Sequence, residues 1–453
     1  MVTVPKSSRY GRGQGGSLCA GRSPWLARAL AALVIALAAT VSKQASADGA
    51  FPDSMQIFVP ADAPHRIILA TNFGLITSDD DGATWEWSCE LRNDDNTILY
   101  QKAASPSPRI FAVLIAHPMI YTDDLACSWT ASGGSLSTLV ARDAFADPTS
   151  ADRVLAAAVA PTATLQPSSV YRSTDGGLTF GPALISGPPG GDILGIESAV
   201  SDPATMYVAM YGSANNVIDP ILARSSDSGV TWSSMDLGGT LGAATIRIIA
   251  VDPTDPLHLF LRVGISSGGE KLGISTDGGR TFTEPVSVDK MTAFALLGSG
   301  TILVAGLDTA GNPVGFRSTD RGATFVPWVN PPHVRALAER NGKLYAAAEN
   351  FLDLFAAGVS TDEGATWTPI LTYDQVKRIK PCVQTVCQDV CDNLAGLTLW
   401  PQTVCGDVPV TMPKTGCGCR TAGEKPGGGA DLASLLATLA TAAAVARRRR
   451  RRT

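Results

Sequence analysis

This sequence predicts an all-β fold, a single ring of seven four-stranded β-propeller blades, on three observations. The pattern S/T-x-D-x-G-x-T-W/F occurs six times in clear form and once in degraded form between residues 78 and 367. Successive copies start 44, 51, 52, 50, 43 and 42 residues apart, a spacing of one supersecondary unit per copy. Short strand-like runs punctuated by turn residues flank the copies, four runs to a repeat.

The first element precedes the repeats. Residues 29–41, ALAALVIALAATV, form an apolar run of 13 after Arg22 and Arg28 and before Ala45-Ser46-Ala47. Basic flank, short apolar run and small-residue site predict a secretory signal peptide over 1–47, cleaved after Ala47. The run is short for a membrane span; an uncleaved anchor is the alternative.

The repeats predict a propeller over 48–375. Six copies are SDDDGATW (78–85), STDGGLTF (173–180), SSDSGVTW (225–232), STDGGRTF (275–282), STDRGATF (318–325) and STDEGATW (360–367), and TDDLACSW (122–129) is the degraded one. Asp and Ser side chains hydrogen-bond the amides of their own turn, Gly at the fifth position tolerates a positive φ, and Trp or Phe plugs an apolar gap. In one repeat IRIIAVD (246–252), HLFLRV (258–263), KLGIST (271–276) and TFTEP (281–285) read as the four strands. Asp147-Pro148, Asp202-Pro203 and Asp252-Pro253 mark the first turn, with SGT (299–301) and NGK (341–343) in the last two repeats.

These copies resemble the Asp boxes, or BNR repeats, of sialidase-like and related propellers. The resemblance covers residues from about 50 to about 375 and implies the fold rather than an activity, because enzymes and non-enzymes share the box. Asp80, Asp124, Asp175, Asp227, Asp277, Asp320 and Asp362 read as turn staples. A calcium loop would need six to eight oxygens, and each box offers one or two carboxylates at usable spacing. Sialidases have six blades and an arginine triad. Arg172, Arg224 and Arg317 mimic a triad only because each directly precedes a box, and they read as solvated strand residues at the rim. Xyloglucan-cleaving hydrolases use two such propellers, and this chain has length for one. Photosystem II assembly-factor propellers are nearer in blade count and size.

Residues 376–416 form a Cys-rich segment. Cys382, Cys387, Cys391 and Cys405 read as two disulfides of a small knob that stiffens a stalk, with Cys387 to Cys391 disfavoured on one helical turn. Zinc is the rival reading, although no C-x-x-C pair is present. Cys89 and Cys127 are expected to pair with each other, tying the first two blades and excusing the lost Gly of the degraded box.

Residues 417–453 predict a sorting or anchor tail: Cys417 and Cys419 among glycines, a weak transmembrane helix over 432–446, then Arg447 to Arg452. This order resembles the MYXO-CTERM tail of myxobacterial exported proteins, which implies processing or lipidation at Cys417 or Cys419 and retention at the cell surface. A permanent tail anchor is the alternative.

Charge and motif content narrow the function. Between 48 and 419 stand 22 Lys and Arg against 39 Asp and Glu, a net of −17. Nucleic acid needs a basic face and is excluded as the main partner. The four histidines, His65, His117, His258 and His333, have no ligand spacing among them, and no G-x-S-x-G, H-E-x-x-H or P-loop string occurs. The reading is a monomeric, exported cell-surface propeller that binds a protein or glycan at its face, without metal, cofactor or chemistry of its own. The alternatives are a secreted glycoside hydrolase, whose paired carboxylates would leave no local motif, and an envelope assembly factor.

Overall fold

The computed structural model describes residues 52–89, 97–161, 167–214 and 217–406. The expected signal peptide with its site after Ala47, and the tail with Cys417, Cys419 and the run 432–446, lie outside the described residues. Among the described residues no helix is long and apolar enough to cross a membrane.

Seven blades follow one another along the chain, each built on four antiparallel strands in sequence order; within blade 3 the short Thr179–Phe180 stands apart and pairs in parallel with Gly133–Gly134. The first strands are Ser54–Phe58, Thr97–Lys102, Val140–Ala146, Asp192–Ser198, Ala243–Val251, Lys290–Leu296 and Val334–Arg340. Neighbouring first strands pack on one another from blade 6 through blades 7 and 1 to blade 5, so they form the channel wall, and the fourth strands lie at the rim. Blade 5 is Ala243–Val251, Leu259–Ile265, Glu270–Ser275 and Thr283–Val288, within a few residues of the strands read from sequence. Second strands are largely apolar on both sides, as in Ile67–Thr71, whose five residues are all buried, because neighbouring blades cover both faces of each sheet.

Each box joins the third strand of its blade to the fourth and closes on itself. In the first, the Ser78 hydroxyl donates to Asp80 Oδ1, the Gly82 amide donates to Ser78 Oγ, and the Thr84 amide and hydroxyl donate to Asp80. The degraded copy makes the same bonds with Thr122, Asp124, Ala126 and Ser128. Both the fourth and the fifth box positions are left-handed; Ser228 has φ 61° and Gly229 φ 83°. The glycine answers a second need, close approach of blades. A Cβ on Gly177 would sit 2.4 Å from the Phe111 ring of blade 2, and one on Gly279 2.4 Å from Leu222 of blade 4. Box amides also bond the first turn of their own blade, as Ser228 N–H does to Ala204 O. First turns and boxes therefore share one face of the ring.

The Cys-rich segment departs from the expected stalk knob. Arg378–Ile379 pairs in parallel with Glu86–Ser88 and makes blade 1 a five-stranded sheet. The helix Gln384–Gly396 then packs into a core shared with blades 1 and 7, in which Trp87, Leu371, Tyr373, Ile379 and Trp400 are all buried. Its apolar residues could not form a core alone at this size, so they join the existing one.

The disulfides correct the expected pairing. Cys89 bonds Cys387 and Cys127 bonds Cys382, while only Cys391–Cys405 lies within the segment. Cys89 and Cys127 do not pair with each other, because the C-terminal segment lies between them and takes one partner from each blade. The same pairing removes the zinc reading, since all four segment cysteines are in disulfides. Among the described residues blades 1 and 7 are each built from their own four strands, and this segment, which follows blade 7 and joins blade 1, is the clasp that ties the ring. The degraded box keeps its turn because Ala126 accepts φ 66°, at an energetic cost, with Cys127 beside it held to the clasp.

Candidate functional site: the central channel

In all seven blades the first strand carries a register shift, at Ser54/Gln56, Thr97/Leu99, Ala141/Asp143, Ile193/Gly195, Ala243/Thr245, Met291/Ala293 and Val334/Ala336. A bulge leaves one residue out of the ladder and re-aims side chains nearby. Met55, Arg142, Leu194, Thr292 and Arg335 are such residues. Across blades 1, 2, 5, 6 and 7 the channel holds a cavity of about 490 Å³, lined by Met55, Leu99, Met291, Phe294 and Leu337 together with Gln56, Arg262, Thr292 and Arg335. Both cations have carboxylate partners: Arg262 donates to Glu270 at 2.6 Å and Arg335 to Asp53 at 2.8 Å.

Two further carboxyls stand on the inner strands of blades 3 and 4. Asp143 accepts from the amides of Ala144 at 2.9 Å and Ile196 at 3.0 Å, the latter on the next blade. Glu197 accepts from the Val251 amide of blade 5 at 3.0 Å. Both are partly buried, and the strands packed around them strip away bulk water. Burial pushes Asp143 up to about 7 and Glu197 up to about 8, the charge of Asp143 adding to the latter. The same arrangement recurs elsewhere in the ring: Gln56 accepts from the Tyr100 amide and Glu339 from the Gly298 amide. These acceptors bind blade to blade. Sequence reasoning missed them because a carboxylate on a strand has no local signature; its role depends on which amide of the neighbouring blade faces it.

The seven box aspartates lie away from the channel, in the turns between third and fourth strands. Their carboxyls sit below the usual range, Asp175, Asp227, Asp277, Asp320 and Asp362 at about 2. At Asp227, Asp320 and Asp362 the threonine hydroxyl bond is the largest cause; at Asp175 and Asp277 partial burial opposes the shift and the same kinds of bond outweigh it. Asp80 and Asp124 are lowered too.

Arg172, Arg224 and Arg317 are not solvated rim residues, nor do they converge. Each reaches the fourth box position of the following blade. Arg172 donates to the Ser228 carbonyl at 2.8 Å and Arg317 binds the Glu363 carboxylate. Arg224 packs so closely on Gly278 that a Cβ there would lie 2.8 Å from its Nη1. Strand position alone points them at the neighbouring blade, a direction invisible before the blades are assembled. Among the described residues no three His, Cys, Asp or Glu side chains group as metal ligands.

Fold and channel together define the class: a single seven-bladed β-propeller with a walled central channel. No family model and no curated protein matches the chain. Among solved structures it is similar to YCF48 from Cyanidioschyzon merolae, at 14% identity, TM-score 0.41, over 65% of this chain and 92% of that one. A structure of YCF48 bound to D1 peptide matches at 14% identity and TM-score 0.42, over 65% and 89%. The GH74 xyloglucanase from Xanthomonas campestris matches at 14% identity and TM-score 0.34, over 73% of this chain, which spans 59% of the xyloglucanase.

Proposed function

We propose that this chain is an exported Asp-box propeller, held at the cell surface through its C-terminal tail, that binds a partner at its channel face without catalysis. One observation carries the non-catalytic reading. Asp143 and Glu197 are both pushed towards the neutral form, and both are committed to backbone amides. A glycosidase divides the roles of acid and base between carboxyls whose environments differ, one protonated and one ionised. Here both environments push the same way. The apolar side of the channel, with two methionines, suits a protein or glycan surface more than a reacting centre.

Six cysteines in three disulfides, two of them joining distant parts of the chain, support export, because such bonds persist in oxidising compartments. The self-closed S-x-D-x-G-x-T turns support the Asp-box assignment. Cys417 or Cys419 is the processing or lipidation site in this reading, and the run 432–446 with its arginines is the sorting signal.

The test of the non-catalytic reading is release of reducing ends from a panel of neutral and acidic polysaccharides by the mature protein and by Asp143→Asn/Glu197→Gln. We expect no release by either. Release by the native protein that disappears in the double variant would establish hydrolysis and overturn the reading.

A further inference from the structure

The seam between blades 5 and 6 differs from the seams that follow blades 3, 4 and 6. In blades 3, 4 and 6 the residue before the box serine is Arg172, Arg224 or Arg317, and it fills the space towards the next blade's box. In blade 5 that residue is Ile274. The direction of the contact reverses: Arg321, from the fourth position of the blade 6 box, reaches back to bind Asp252 and, at 2.8 Å, Thr254 of blade 5. Between blades 3 and 4, where Arg172 occupies the seam, the cavity is about 190 Å³; between blades 5 and 6 the groove is about 810 Å³.

Two buried polar atoms of the groove's lining residues have no partner, His258 Nε2 and Glu284 Oε1. His258 is only 6% exposed, and its Nδ1 lies 3.1 Å from Asp252 Oδ2. A carboxylate only accepts, so Nδ1 carries the proton, and in that tautomer Nε2 is the acceptor. Both orphaned atoms therefore ask for donors. Asp252 at its edge is paired with Arg321 and Glu284 with Lys271 at 2.9 Å, while Asp320 spends both oxygens inside its own box, accepting from Ser318 and Thr324. This disfavours a cation and favours neutral hydroxyl donors. Thr276 and Thr283 add hydroxyls to the lining, and Ile274 and Pro285 add apolar surface. Donor-rich edges with apolar faces describe a sugar ring.

We propose that this groove, on the box face and distinct from the channel, is a saccharide-binding site. The disulfide-intact mature protein, labelled with ¹³C at histidine, is titrated with cellohexaose, chitohexaose and a xyloglucan oligosaccharide, with spermidine as the cationic control. Four histidine ring signals are expected from the sequence. At least one saccharide should shift the His258 signal and leave those of His65, His117 and His333 in place. Ile274→Arg/Arg321→Ser, which rebuilds the blade 3–4 arrangement, should weaken that binding at least tenfold. Ala323→Trp, at an exposed lining residue, should do the same without touching a buried side chain. No shift with any saccharide, a shift with spermidine alone, or unchanged binding in both variants overturns the proposal. Saccharide binding that leaves His258 unmoved and survives both variants belongs to the channel and overturns the groove while leaving the channel reading intact.

Discussion

Opening the clasp is the most direct perturbation of this ring. Cys89–Cys387 and Cys127–Cys382 span 298 and 255 residues. In the chain-entropy account a cross-link stabilises by shrinking the unfolded ensemble, by an amount that rises with the logarithm of the loop. With one of these bonds intact, the other closes only the 38 residues from Cys89 to Cys127 and the five from Cys382 to Cys387. That loop corresponds to roughly 4 kcal/mol, whereas a loop of 255 to 298 residues corresponds to roughly 5.5 kcal/mol, the upper end of what disulfides deliver. Replacing either pair by alanines should therefore cost about 4 kcal/mol, and replacing both about 9 kcal/mol, more than twice a single loss. The assay is guanidinium unfolding of non-reduced protein, read by tryptophan fluorescence, with the slope compared between variants to keep the unfolded surface in view. Hydrogen exchange at the amides of Ser54–Phe58 and Val334–Arg340 should rise first, because those strands meet where the ring closes. A loss below about 1 kcal/mol in the four-cysteine variant would refute the clasp as the element holding the ring shut.

Three further outcomes follow from packing and charge. Trp85 is 1% exposed and donates its indole N–H to both Gly82 O and Ile370 O, so Trp85→Ala should cost roughly 3–5 kcal/mol in the same unfolding assay; Trp232 and Trp367, only partly buried, should lose less. The box carboxyls are held at about 2 against an ordinary 3.8, so their stabilisation is present above pH 4 and is lost as pH falls towards 2, which melting temperatures across that window will read. Asp143 and Glu197 are raised to about 7 and about 8, so the opposite sign applies: their contribution is fully present below pH 4 and is lost as pH rises to 8. Asp143→Asn keeps an acceptor for the Ile196 amide without ionising, and should reduce the fall in melting temperature between pH 4 and 7, Glu197 keeping the remainder; an unchanged slope would contradict the charge assignment.

What the sequence determined by itself was the repeating unit. Ser78, Asp80, Gly82 and Thr84 bond one another within seven residues, so the turn is a local object and its seven copies count the blades. The strands around it are equally local, which is why their positions in blade 5 were legible from alternation and turn residues. The tertiary structure decided everything that passes from one blade to another. Cys89 finds Cys387 across 298 residues, and nothing in either neighbourhood names the other. The register shifts that open the channel are properties of a pair of strands. Asp143 is raised to about 7 because blades surround it, and its sequence context is that of any strand carboxylate. Ile274, where blades 3, 4 and 6 carry arginine, leaves a groove only because the space it fails to fill lies between two sheets. Contacts of this kind depend on which surfaces meet, and a linear chain records the surfaces without recording the meeting.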